Sequence, residues 1–238
     1  MSIKILATLL MTVWVTTISA HGWEDAGPLT LSGGGDEGTV GYELSCDEQR
    51  LRDPSMTDEE YTDFLLEFQD SECATVFKVG DIGFGGGRVY FVTEDGRHGM
   101  EIAPNHHTTV EYGCWNVALE GARDKNFGAG ASNTDIAKEN KCNSYYGGSS
   151  AIDVLRNYDS GGVKDWYIPS MGDLEEIYSA LGAYTVTEKG DAHPSFPKFF
   201  WSSSEADGSW MYGFNLTNGT KAKAHKIIKL SLLLIRNF

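Results

Sequence analysis

The sequence predicts an α+β fold, and three stretches carry that reading: a strand-to-helix transition at 161–182, a capped amphipathic helix after Met56, and a hairpin at 88–103. In the first, GGVKDWYIPSMGDLEEIYSALG, Ser170 follows Pro169 and precedes a helical pattern. Its hydroxyl is set to accept from the backbone N–H of Asp173, whose carboxylate reaches back toward Ser170. Leu174, Ile177, Tyr178 and Leu181 recur at helical spacing and share one face, while Asp173, Glu175 and Glu176 lie where the helix dipole favours negative charge. Gly182 supplies the stop. Trp166, Tyr167 and Ile168 read as a short buried strand leading in. These residues make architecture, since no nucleophile, base and orienting group assemble from them.

Taken from its start, the chain opens with Lys4, an apolar run from Ile5 to Ile18, and then Ser19 and Ala20. That is the pattern of a secretory signal, residues 1–20, cleaved after Ala20. The apolar run is shorter than the roughly 20 residues of a membrane-spanning helix, and no cysteine follows the cleavage point to take a lipid. Residues 21–75 form an acidic leader with fifteen acidic residues against Arg50 and Arg52. Up to Val40 the leader is rich in Gly, Asp and Pro and reads as flexible. Within it Thr57 caps a helix with Glu60 three residues on, and Tyr61, Phe64, Leu65 and Phe68 form an apolar stripe. In an exported protein the four cysteines read as a disulfide framework. Of the three pairings open to them, Cys46–Cys73 and Cys114–Cys142 each bracket a compact unit, and the first staples the amphipathic helix. A zinc site is not expected, because the spacing offers no C-x-x-C pair.

From Val76 onward the glycines of VFKVGDIGFGGGRVYFVTEDG invite comparison with a dinucleotide loop, but Arg88 stands where the third glycine belongs and a strand follows where a helix is needed. The cluster instead leads tightly into a hairpin, with Asp95-Gly96 as its turn and His98 to Ala103 as the returning strand. His106 and His107 point to opposite sides of an extended chain and make a poor metal pair. Asn133 or Thr134 is expected to cap a helix through Lys141, and Ser149 to Asn157 reads as another. Strands are expected at Phe199 to Glu205 and Trp210 to Leu216. Ile227 to Phe238 ends the chain, with SLLLIRNF as one fully buried strand. Lys221, Lys223, Lys226 and Lys229 read as protection of a solvated edge strand.

The ordered set GDIGFGGGRVYFVTEDGRHGMEIAP, GC, GAGASNTDI with a following Cys, DWYIPSMGDLEEIY, FWSSSE and a terminal apolar strand ending in Arg and Phe resembles the Lcl C-terminal domain-like family over residues 76–238. The resemblance implies a C-type-lectin-like domain with two main helices, small antiparallel sheets and long loops, preceded here by the stapled segment. It implies a secreted, periplasmic or cell-surface location and, in the name-giving adhesin, binding to sulfated polysaccharide. Cys114 and Cys142, Trp166, Pro169 and Ser170, and Trp201 to Glu205 match the family's motifs. Leu232 to Ile235 depart from them where many members carry a second arginine, which weakens the case for an anionic ligand there.

Three functional readings follow. The first is a non-enzymatic binding or adhesion module for a glycan or extracellular polymer. The second is a structural envelope protein without a small-molecule ligand, and the third is a thiol-dependent oxidase of the sulfatase-modifying type, which needs a free activated thiol. G-x-S-x-G and H-E-x-x-H are absent from the sequence, and paired acids such as Glu175 and Glu176 read as a solvated helix face. No cofactor is expected. The acidic leader repels nucleic acid, so no nucleic-acid partner is expected. A ligand site is expected on a loop face around 202–219, where Trp210 and Tyr212 offer apolar rings beside the polar groups of Glu205, Asp207 and Asn215. Calcium is not expected there, because the acids lack a dense ligand run.

Overall fold

A computed structural model of the protein describes residues 46–104, 108–160, 162–182 and 198–238. The expected signal segment, the expected leader as far as residue 45, and His106 and His107 lie outside them. The helices are α1 (Cys46–Gln49), α2 (Asp58–Glu67), α3 (Gly130–Glu139), α4 (Ala151–Arg156) and α5 (Met171–Leu181). Strands β1 (Arg88–Val92), β2 (Gly99–Ile102) and β8 (Ile235–Asn237) form one antiparallel sheet in the order β1-β2-β8. Strands β3 (Thr108–Glu111), β4 (Phe199–Asp207), β5 (Trp210–Asn215), β6 (Lys221–His225) and β7 (Lys229–Leu232) form a second sheet in the order β3-β7-β4-β5-β6. The protein is thus α+β with small sheets, as expected. One pairing departs from the antiparallel rule, since β4 meets β7 in parallel through Phe200 and Ser231.

Helix α5 starts with the full capping box: Asp173 N–H donates to Ser170 Oγ and Ser170 N–H to Asp173 Oδ2. Leu174 and Ile177 are fully buried and pack with Tyr90 and Ile102 of one sheet and Phe200 and Phe214 of the other, so α5 joins the two sheets. A larger cluster around Tyr112, Ile152, Trp166, Trp201 and Leu232 packs the five-stranded sheet against α3 and α4. Complete burial of such side chains contributes about 1.5–3 kcal/mol each. Helix α2 has its predicted Thr57–Glu60 box, and both disulfides, Cys46–Cys73 and Cys114–Cys142, have the expected partners. The stapled segment docks through Leu66, which packs on Phe77, Val89 and Phe238, and through buried Gln69, whose amide bonds the backbone of Thr75 and Arg97.

Several expectations are corrected. Helix α3 begins at Gly130, ahead of Asn133 and Thr134. Those two are buried inside it and bond other elements: Asn133 Nδ2 donates to the Asp124 carbonyl at 2.7 Å, and Thr134 Oγ1 exchanges hydrogen bonds with Ile168. A Cβ at Gly130 would come within 2.6 Å of Asp173 Oδ2, so the helix starts where glycine allows close approach. Among the described residues after 76 the two longest helices are α3 and α5, of ten and eleven residues, and α2 belongs to the stapled segment before them. Trp166 to Ile168 is buried but is no strand, because only Tyr167 pairs, in a single bridge to Ile235. The terminal apolar run divides at Leu233 and Leu234 into β7 and β8, one in each sheet, because it crosses the core between them. Edge strand β6 carries exposed Lys221 and Lys223 as expected, but Lys226 is wholly buried.

The glycine cluster turns out to be a nest for an internal anion. Gly85 and Gly87 N–H groups each donate to the Glu101 carboxylate at 2.8 Å, and Arg236 donates to the same carboxylate at 3.0 Å. A Cβ at Gly83 or Gly87 would meet that carboxylate within 3 Å, and one at Gly87 would also lie 2.2 Å from the Ile102 carbonyl oxygen. Arg236 makes a second, two-pronged pair with Asp165 at 2.7 and 2.9 Å and lies against the Trp166 ring. Burial lowers its proton affinity, but the Asp165 and Glu101 charges outweigh this and keep its guanidinium firmly charged.

Removing one partner of such a pair strands the other charge in the interior. Arg236→Met is expected to lower unfolding stability by about 3–5 kcal/mol, and adding Glu101→Gln should recover part of the loss. Urea unfolding of the single and double variants measures both. Reduction of the disulfides is expected to cost about 3–4 kcal/mol per bridge on the chain-entropy account of loops this long. Thermal melts with and without reductant check it, and an unmoved midpoint after mass-verified reduction would refute the structural role.

Candidate functional site

The expected recognition face at 202–219 is the β4–β5 hairpin, and most of it points inward. Ser202, Ser203 and Ser204 are fully buried; Ser202 Oγ donates to the Tyr212 carbonyl and Ser204 Oγ to the Asp124 carbonyl, each at 2.7 Å. Glu205 is buried as well. Its carboxylate accepts from Lys226 Nζ at 2.7 Å, from the Leu119 N–H at 2.9 Å and from Arg123 Nε at 3.4 Å. Lys226 also donates to the Val117 carbonyl at 2.8 Å, so the pair anchors the 114–123 loop. Burial pushes the Lys226 ammonium below its usual range, against the pull of Glu205. Tyr112, buried near the same carboxylate, is pushed up by desolvation first and by the Glu205 charge second. Asn215 is buried too, and its Oδ1 accepts from the N–H and hydroxyl of Thr217. Glu205 and Asn215 therefore leave the expected surface set, because both are committed to internal partners. Asp207 and Trp210 remain at the surface, Asp207 Oδ1 accepting from the Ser209 N–H at 2.9 Å.

Trp210 is one end of a larger aromatic feature. It pairs across the sheet with His225, their rings 4.9 Å apart. Trp115 Nε1 donates to His225 Nε2 at 3.3 Å, which places the ring proton of a neutral imidazole on Nδ1. Trp115 in turn lies 4.5 Å from Tyr145, and Tyr145 4.9 Å from Tyr146. The row Trp210, His225, Trp115, Tyr145, Tyr146 is outward-facing: Trp210 and Trp115 are 38% and 37% exposed, Tyr145 and Tyr146 52% and 73%. Beside it, on the same face of β5, Tyr212 sits under Lys125, whose ammonium is 4.0 Å from the ring centroid. A hydrogen bond from Lys125 holds the Tyr212 phenol below its usual value.

The scaffold beneath the row is rigid. Cys114 and Asn116, the neighbours of Trp115, both have left-handed backbone, φ 54° and 62°. L-residues hold that conformation at a cost of about 1–2 kcal/mol, so the surroundings must impose it. The Cys114–Cys142 bridge does so from one side and the Lys226 contacts from below. Buried Glu111 fixes the tyrosines by accepting from the N–H groups of Tyr145 and Tyr146 at 2.6 and 3.3 Å and from the Ser144 hydroxyl at 2.8 Å. Beside the Trp115–Tyr145 pair lies a cavity of about 310 Å³, lined also by Cys114, Val117, Asn140, Lys141, Asn143 and Ser144. The arrangement offers flat apolar faces beside amide groups, which is chemistry for recognition. All four cysteines are paired. No group of three or more acids, histidines and cysteines among the described residues is spaced to hold a metal.

No family model matches this chain. No curated protein matches it either. Trp115, Tyr145, Tyr146 and His225 were missed in the sequence, although a signal was present: Trp115 follows Cys114 and Tyr145-Tyr146 follow Cys142 by three and four residues, so the expected bridge brings these aromatics together.

The exposed and buried members of the set should separate in stability. Trp115→Ala and Tyr145→Ala are expected to stay within about 1 kcal/mol of the parent, whereas Glu205→Ala, which strands buried Lys226, should cost about 3–5 kcal/mol. Denaturant titration of the three variants decides it. A Glu205→Ala protein as stable as the parent would show that the pair does not hold the loop.

Proposed function

We propose that the protein is an exported, non-enzymatic binding or adhesion module that recognises a carbohydrate or surface polymer along the aromatic row. The observation that carries this reading is the row itself: four partly exposed Trp and Tyr rings and one His in mutual contact, on a loop and hairpin held in fixed, locally strained conformation. Amphipathic rings of this kind give large contact area at low entropic cost, and pyranose rings present flat C–H faces that pack on them. Two disulfides fit an oxidising compartment, and no helix among the described residues is long and apolar enough to cross a membrane. Pairing of all four cysteines argues against the thiol-dependent oxidase, whose chemistry needs a free thiolate. The C-type-lectin-like fold implied by the family resemblance belongs to the same proposal.

A glycan array on the protein without residues 1–20 tests the reading. Ligands found there are expected to bind Trp115→Ala and Tyr145→Ala at least about tenfold more weakly, with melting points retained. If both variants stay folded and bind like the parent, recognition lies elsewhere.

A further inference from the structure

We infer that the cavity beside Trp115 and Tyr145 is a subsite for the acetamido group of a 2-acetamido pyranose, carried in a β-linked chain whose neighbouring rings lie along the aromatic row. The inference rests on the proposed function and names the substrate class of that site. At about 310 Å³ the cavity is at the small end of ligand sites, enough for one substituted sugar ring and not for a polymer segment. Its walls have two characters. Trp115, Val117 and Tyr145 are apolar and partly exposed, Val117 by 43%, and with the half-cystine Cys114 they supply the apolar part of the lining, against which a ligand methyl would pack. The rest of the lining is polar, from Asn140, Lys141, Asn143 and Ser144.

Each alternative substituent at the same sugar carbon fits these walls less well. An acetamido group has a methyl for the apolar wall, an N–H donor and a C=O acceptor, and a primary amide such as Asn143 both accepts and donates. Asn140 gives its Nδ2–H to the Ile136 carbonyl at 2.8 Å and keeps Oδ1 as an acceptor, which fixes its orientation. A hydroxyl at that carbon would leave the methyl wall wet and the amide half-used. An ammonium, as in a deacetylated sugar, would face Lys141 with no acid in the lining to offset it. The backbone supports a preformed cavity, since Lys141, like Cys114 and Asn116, is left-handed, φ 50°.

The test uses three β-1,4-linked trimers that differ only at this position: of N-acetylglucosamine, of glucosamine and of glucose. Calorimetric titration of the folded protein is expected to show the acetylated trimer binding at least about tenfold more tightly than either other, the value of one good hydrogen bond with its desolvated methyl. Asn143→Ala and Val117→Asp should each erode that preference with the melting point retained. A cell-wall disaccharide with one lactyl-bearing acetamido unit runs alongside. A gain with it that is lost in Lys141→Ala identifies a cell-wall source, and no gain an unmodified acetamido chain, both within the proposed class. Equal binding of acetylated and glucose trimers by the parent overturns the subsite and leaves the aromatic row standing, as does an acetyl preference that survives in both variants. Absence of binding to any trimer, together with an empty array, overturns the row and the subsite together.

Discussion

The Glu101–Arg236 pair is the constraint on which the rest of the fold depends. Neither group reaches solvent, so each must find partners inside. Glu101 finds them in the N–H groups of a loop whose glycines alone can approach so closely, and Arg236 in Asp165 and the face of Trp166. A buried pair of this kind contributes little net stability over a well-packed apolar one. Its effect here is positional. It holds the glycine loop, strand β2, strand β8 and the segment before α5 in one register, and no alternative pairing of β8 with β2 would bring Arg236 to Glu101.

The same device recurs through the chain. Four fully or nearly buried acids, Glu101, Glu111, Asp173 and Glu205, each accept from backbone N–H groups of a distant loop: Gly85 and Gly87, Tyr145 and Tyr146, Gly128, and Leu119. Long loops carry backbone donors that no strand or helix satisfies, and buried donors must be satisfied by something. Carboxylates on regular elements take that part here. The loops are consequently as fixed as the sheets they cover, and this fixity lets exposed rings such as Trp115 and Tyr145 stand in one arrangement.

Local signals were legible in the sequence because local chemistry decided them. The Ser170 and Thr57 capping boxes, the Asp95-Gly96 turn and the stripe of Leu174 and Ile177 depend on neighbours within a few residues. Long-range pairing was not legible. Lys226 read as one of several edge lysines because its partner lies across the hairpin, and Glu205 read as a surface acid because its loop donors lie 86 residues away. SLLLIRNF read as one strand because its apolar run is unbroken from Leu232 to Ile235, whereas the break between β7 and β8 follows from which sheet each half meets. The aromatic row was assembled by a disulfide, a hairpin register and Glu111 together, none of which alone marks Trp115 or Tyr145 as surface rings.

The separation of 135 residues between Glu101 and Arg236 has a temporal consequence. A chain made or translocated from its N-terminus presents the glycine nest and its acid long before the arginine that neutralises them exists. Until residue 236 arrives, β2 lacks its β8 neighbour, and Phe238 has not closed over Phe77 and Phe84. Closure over so long a loop is slow, and contacts this distant reward the chain only at the end. The β8 segment therefore acts as a latch on β2 and the glycine loop, which reach their full set of partners only once it has paired.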